Sequence, residues 1–282
     1  MTENQLTYAL LFGRLTDHFS SNRSSSYDFM VVDEAQDISV PQLKFLAMLA
    51  NSQPNALFFA GDLGQRIFRQ PFSWARLGVH IRGRSKTLRI NYRTSHQIRR
   101  QADLLLDDEL TDVDGNTESR YGTISVFNGP EPTVMECNRP EEETELVGQW
   151  ILDRVEDRVA PHEIGVFVRS EAELDRGRAA IESANLRYKQ LDQHFDTTSG
   201  RVSISAMHLA KGLEFRAVVV MACDDEVIPL QERVESIVDE ADLEEVYDTE
   251  RHLLYVACTR ARNHLLVTGV DPVSEFVDDL QM

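Results

Sequence analysis

Apolar residues recur along the chain in short blocks that alternate between two spacings. In "NQLTYALLFGRLTDHF" (residues 4–19) Leu6, Ala9, Leu10 and Leu15 fall at helical spacing, and the serine-rich run after it ends the helix. "YDFMVVDEA" instead gathers its apolar residues without interruption, the form of a short strand buried in a parallel sheet. "PQLKFLAMLA" predicts a helix with Pro41 near its start, and "NALFFAGD" a second strand that, like the first, runs into an acid. "KTLRI" predicts a third strand, followed by the helix "SHQIRRQADLLLDD" and the turn-rich stretch "DVDGNTESRYGT". Beyond it the pattern resumes with strand "TISVF", helix "EEETELVGQWILDRV", strand "IGVFVRS", helix "EAELDRGRAAIESAN" and strands "RVSISAMH" and "RAVVVMAC". An acidic helical segment, the helix "ERHLLYVACTRAR" and a last strand "HLLVTGV" complete it. Strands and helices of these lengths in alternation predict α/β layers around mostly parallel sheets.

Composition narrows this picture a little. The 282 residues suit one large domain or two modest ones, and 42% hydrophobic residues is ordinary for a globular chain. No apolar run approaches the roughly 20 residues of a membrane helix, and no signal peptide is evident, so a cytoplasmic protein with no membrane partner is expected. Cys137, Cys223 and Cys258 are scattered without CxxC spacing, which predicts neither a disulfide framework nor a zinc site.

Charge changes it more. The net charge of −18 argues against a uniformly basic nucleic-acid binder, yet the distribution is uneven. Residues 66–100 hold nine Arg, one Lys and no acid, whereas residues 224–250 hold twelve acids against one base, Arg233. Such asymmetry fits local steering of a charged ligand, or simply two balanced surfaces of one fold.

The chemistry gathers where apolar strands meet acids. A hydrophobic strand ending in Asp33-Glu34 suits a magnesium-dependent nucleotide hydrolase: the first carboxylate holds the metal through water and the second orients or deprotonates an attacking water. The helix-dipole preference for acids after a strand produces the same pattern without function. The full "VVDEAQD" is more specific, and it resembles motif II of superfamily 1 DNA helicases of the UvrD/Rep type.

Further stretches follow in that family's order. "FFAGDLGQRIF" resembles motif III, "LRINYRTS" motif IV, "ISAMHLAKGLEFRAVVV" motif V and "ERHLLYVACTRARNHLLV" motif VI, and "VFVRSEAELDRGRAAIESANLRYK" is similar to the unit that precedes motif V. The resemblance implies RecA-like parallel sheets with flanking helices. It implies a partial first domain over residues 1–85, holding motifs II and III, and a nearly complete second domain over 86–282, holding motifs IV to VI. It also implies ATP with Mg2+ as cofactors, single-stranded DNA as partner, and 3′ to 5′ movement driven by ATP hydrolysis. Asp33 would hold the metal, Glu34 act on water and Gln65 sense the terminal phosphate. Arg93 and Arg260 would stabilise charge on the transferred phosphoryl group, since a guanidinium is always charged and forks onto phosphate oxygens. Glu214 would contact the nucleotide sugar, and His208 and Lys211 would lie toward DNA. Ala206 stands where the family usually has Thr, and Leu209 where a small polar residue is common.

Phe68, Phe72 and Trp74 are interleaved with Arg66, Arg69 and Arg76, a pattern that suits stacked bases with phosphates alongside and equally an aromatic cluster in a core. In the resembling family a segment just past motif III lines the strand path, which implies DNA contacts for Arg66, Phe68, Arg69 and Trp74.

One part of the nucleotide machinery is missing from the sequence. There is no GxxxxGK[ST] and no Gly-Lys pair anywhere, and 32 residues precede Asp33. The phosphate-cradling loop, its lysine and its magnesium-binding hydroxyl are therefore absent. The chain reads as a truncated form, a fragment or a shortened gene, expected to be inactive alone. It would need a P-loop-bearing segment or a partner chain to complete the site. Two other readings remain open: a non-catalytic module that binds DNA or protein, and a metal-dependent nuclease built on Asp33, Glu34 and Asp37.

Overall fold

The computed structural model describes residues 7–21, 27–50, 55–65, 73–81, 83–107, 109–111, 114–115, 117–119, 122–192, 197–237 and 239–281. The chain forms two compact units, Met1–Thr87 with Glu109–Ser119, and Leu88–Asp108 with Arg120–Met282.

The first unit opens with helix α1 (Tyr8–Ser21), strand β1 (Met30–Val32), helix α2 (Val40–Leu49) and strand β2 (Leu57–Phe59). Ser39 and Gln42 close a capping box at the start of α2, where Pro41 supplies the fixed φ of a first turn. Leu43 of α2 is fully buried, and Phe45 meets Phe12 and Phe19 of α1 edge-on or tilted. β1 pairs in parallel with β2, Val31 opposite Phe58 and Val32 opposite Phe59. The apolar run of β1 predicts burial on both faces. The structure corrects this: Val31 is 74% and Phe58 63% exposed, because period-two geometry sends them to a face that nothing covers among the described residues.

Next come β3 (Ile90–Asn91), shorter than the predicted "KTLRI", helix α3 (His96–Asp103), and an antiparallel hairpin of β4 (Glu109–Thr111) and β5 (Thr117–Ser119). The hairpin belongs to the first unit, and its second strand β5 lies within the stretch whose composition predicts only turns. β6 (Ile124–Ser125) pairs in parallel with β3.

The rest of the chain supplies β7 (Thr133–Cys137), α4 (Pro140–Glu156), β8 (Ile164–Val168), α5 (Leu174–Ser183), β9 (Tyr188–Gln190), β10 (Val202–Ala206) and β11 (Phe215–Val220). It ends with α6 (Gln231–Glu235), α7 (Glu240–Thr259), β12 (Ala261–Val270) and α8 (Glu275–Asp279). Six of these strands form one parallel sheet in the order β7-β12-β11-β8-β10-β9, the α/β class expected of a RecA-like domain. The inner strands β8 and β10 are buried at every position, which is why their sequences are continuous apolar or small runs. α4 and α5 pack Val147, Ile151, Ala180 and Ile181 onto Ile164, Val166, Val168, Ile204 and Val219. α7 packs on β11 and β12, and α3 on β12 and α7. α4 begins with Pro140 and three glutamates and ends near Arg154, charges that match the helix dipole. Sequence pattern misses β7 and β9 because both lie at sheet edges, where polar side chains interrupt the apolar run.

Candidate functional site

Two clusters hold the predicted residues, one in each unit. In the first, β1 delivers Asp33 and Glu34 to its C-terminal end, both exposed. Asp33 Oδ1 accepts the Glu34 N–H at 2.9 Å, and Glu34 takes a left-handed conformation (φ 51°, ψ 42°) that few non-glycine residues adopt. The chain turns there into a short 3-10 helix over Ala35–Asp37, which buries the Gln36 side chain. Gln36 Nε2 donates to Glu34 Oε2 at 2.5 Å, and the Asp62 N–H donates to Gln36 Oε1 at 3.1 Å. Asp62 in turn accepts Gln65 Nε2 at 2.8 Å and Gly64 N at 2.8 Å. Glu34 and Gln65 are thus joined through Gln36 and Asp62, and Gly61 lies close beside them: a Cβ there would meet Gln36 Oε1 at 2.5 Å and displace that amide from its hydrogen bond. Gln36 and Asp62 are not among the residues predicted for the site. The signal for them was the glutamine within "DEAQD" and the acid ending the second strand.

The second cluster joins three stretches far apart in sequence. Asn91 Oδ1 accepts the N–H groups of Arg93 and Thr94 at 2.8 and 3.2 Å, an Asx-type turn that sets the loop after β3. The Thr94 hydroxyl donates to Thr259 O at 3.4 Å and Ser95 N to Arg262 O at 3.0 Å, tying that loop to the α7–β12 junction. Arg93 lies on the surface with Nε 3.5 Å from Glu214 Oε2. Arg260 is buried at 5% exposure and its Nε donates to Val256 O at 3.1 Å and its Nη1 to Leu213 O at 3.4 Å. Arg93 and Arg260 therefore engage adjacent residues, Glu214 and Leu213, although 167 positions separate them in sequence. Glu214 thus gives Arg93 a carboxylate. Helix and loop carbonyls, with the Thr259 hydroxyl, accept from the Arg260 guanidinium.

Lys211 and Gly212 lead into this corner, and Gly212 has φ +77°, which favours glycine. His208 lies at the other end of the same connection, just past β10, and is exposed. Partial desolvation by its neighbours, with Arg169 adding positive charge, holds its pKa below the usual histidine value, and Glu171 opposes the shift. No described group of three or more His, Cys, Asp or Glu residues forms a metal cluster.

Of the predicted nucleic-acid contacts, Arg66, Phe68 and Arg69 lie outside the described residues. Trp74 is half-buried with its ring 4.9 Å from that of Phe59 at 67°. Sequence reasoning also missed two ion networks. Arg169 and Arg233 share the fully buried carboxylate of Glu250, with Arg169 Nη2 at 2.5 Å and Arg233 Nη1 at 3.0 Å. Arg176 pairs with Glu143 at 2.5 Å and Asp224 at 2.6 Å. None of the three acids lies near its arginine in sequence, so no spacing pattern announces these pairs.

Comparison with known proteins follows the same motifs. Residues 4–76 match the UvrD/REP helicase N-terminal domain family, and residues 178–271 the UvrD-like helicase C-terminal domain family. The chain is 23% identical over 253 residues to a probable DNA helicase of Mycoplasma pneumoniae, covering 88% of this chain and 44% of that protein. It is 41% identical over 82 residues to the ATP-dependent DNA helicase PcrA of Bacillus subtilis, covering 28% of this chain and 10% of that protein. The chain thus spans less than half the length of these curated relatives. A crystal structure of the C-terminal domain of a possible DNA helicase from Lactobacillus plantarum superposes with a TM-score of 0.47 at 22% identity, covering 67% of this chain and 94% of that one.

Proposed function

Because the chain belongs to the UvrD-like helicase family, we propose that it is part of an ATP-dependent 3′ to 5′ DNA helicase or translocase, with residues 1–85 and 86–282 contributing to its two RecA-like domains. The observation that carries this reading is the meeting of Arg93, Glu214 and Arg260 at one corner of the second unit. Three separate loops converge there, as a site for a polyphosphate and its sugar requires.

The donor set fits Mg–ATP in part. Asp33 offers hard carboxylate oxygen at a strand end, and magnesium is usually held by one or two carboxylates with waters and substrate phosphates completing its shell. The guanidinium groups of Arg93 and Arg260 fit phosphate oxygens. The cradle for the inner phosphates is not among these 282 residues, which contain no Gly-Lys pair. When bound, the metal would neutralise charge on the phosphates. Asp33 would fix that ion, and Glu34, its carboxylate held by Gln36, would orient the attacking water. Gln65, on the same hydrogen-bond chain, would sense whether a terminal phosphate is present. Arg93 would leave Glu214 for phosphate and free Glu214 for the sugar. Trp74, Arg66, Phe68, Arg69, His208 and Lys211 would contact single-stranded DNA.

The chain alone is expected to hydrolyse ATP no faster than background, because positioning and charge stabilisation supply nearly all of this catalysis and the phosphate cradle is missing. Adding a P-loop-bearing N-terminal segment from a relative is expected to produce DNA-stimulated hydrolysis that Arg260→Ala abolishes. Turnover by the chain alone that Glu34→Gln abolishes would overturn the first expectation. A stable complex that binds DNA but never hydrolyses ATP would favour the reading as a non-catalytic binding module.

A further inference from the structure

The β4–β5 hairpin interrupts residues of the second unit yet belongs to the first. Asp114 and Gly115 stand at its tip, Gly115 with φ +74°. Asp114 Oδ1 accepts the Ser73 hydroxyl, and Oδ2 accepts the Ala75 N–H at 3.1 Å. The Ser73 hydroxyl oxygen accepts the Arg76 N–H at 3.1 Å. One carboxylate therefore holds both sides of Trp74, whose ring meets Phe59, the last residue of β2. The segment 73–78 is a single short turn, too short to hold its conformation by its own hydrogen bonds. The Ser73 bond foremost, with those from the Ala75 and Trp74 backbone, keeps the Asp114 carboxyl below its ordinary range.

The geometry points to Asp114 as a positioning residue for nucleic-acid binding: from the tip of a hairpin about 40 residues downstream it fixes the turn that presents Trp74 and Arg76 to single-stranded DNA. This rests on the DNA-binding reading given above. A carboxylate beside phosphate-binding residues weakens DNA binding by charge alone. Its positional effect and its charge effect therefore have opposite signs, and a single substitution separates them.

The test uses the full chain carrying Trp150→Phe, so that Trp74 is the only tryptophan, with a fluorescein-labelled oligo(dT) read by anisotropy. Asp114→Ala is expected to weaken binding about tenfold, the scale of one base–aromatic stack, and to shift Trp74 emission to the red. Asp114→Asn, which keeps one acceptor oxygen while removing the charge, is expected to stay within about threefold of the parent. Ser73→Ala removes the same hydrogen bond from the other side and is expected to weaken binding in the same direction, which keeps the test open should Asp114→Ala fail to fold. Trp74→Ala should also weaken binding about tenfold. If Trp74→Ala weakens binding while the Asp114 and Ser73 variants bind as well as the parent or better, the inference is overturned and the DNA reading stands. If Trp74→Ala binds like the parent, both fall for this segment.

Discussion

The two units use the same kind of apolar strand with opposite results. In the second unit β8, β10 and β11 each lie between parallel neighbours, and Val166, Ile204 and Val218 are completely buried. In the first unit β1 and β2 are equally apolar in sequence, yet Val31 and Phe58 are largely exposed. A continuous apolar run thus reports what a strand is suited to, a sheet with both faces covered, and neighbouring elements decide whether that burial is reached. The chemistry divides in the same way. The carboxylates and Gln65 follow β1 and β2 of the first unit, whereas in the second unit Arg93 follows β3 of a separate two-stranded sheet and Arg260 immediately precedes β12 of the six-stranded one.

The largest expected effect tests the second unit. Glu250→Ala strands the buried Arg169 without its carboxylate and should cost about 3–5 kcal/mol in urea unfolding; a cost below about 1 kcal/mol would mean that the network is solvated and that this unit is less closely packed than its strands imply. Alkaline pH comes next. Burial first, then the neighbouring Glu143, raises the Cys137 thiol to about 11, from an ordinary 9.0. The folded thiol keeps its proton where the unfolded one has given it up, so this contribution is whole below pH 9 and fades as pH rises toward 11. Melting temperature against pH should show that decline, and Cys137→Ala should flatten part of it.

For the basic stretch, charge reversal of Arg69 and Arg76 should lower oligo(dT) affinity and reduce the salt slope by about one for each phosphate that is no longer neutralised. Arg176 on α5 is tied to Glu143 and Asp224 and makes a poor surface control, so the exposed Arg187 and Arg201 serve as one. Equal effects from both pairs would show that the stretch is an ordinary solvated surface. The smallest effect is Val31→Ala, expected within about 0.5 kcal/mol of the parent. A cost above about 2 kcal/mol would show the β1–β2 face to be covered in solution and would erase the contrast between the units.

The sequence by itself determined the α/β class, the inner strands, the motif order and the absence of a P-loop, because these depend on local periodicity and on residue types at fixed spacing. It also marked Asp33, Glu34, Gln65, Arg93, Glu214 and Arg260 through resemblance. Only the tertiary structure decided that Gln36 and Asp62 join Glu34 to Gln65, that Arg93 and Arg260 reach the adjacent Glu214 and Leu213, and that Arg260 is held by carbonyls. It alone placed the 109–119 hairpin with the first unit and buried Glu250 between two arginines. The edge strands β7 and β9 belong to the same class: half their hydrogen-bonding and packing comes from one side only, so their sequences carry little apolar signal. The physical reason is range. Periodicity records which face of an element is buried, whereas a hydrogen bond or ion pair between residues tens of positions apart leaves no spacing to read and exists only once the chain has folded.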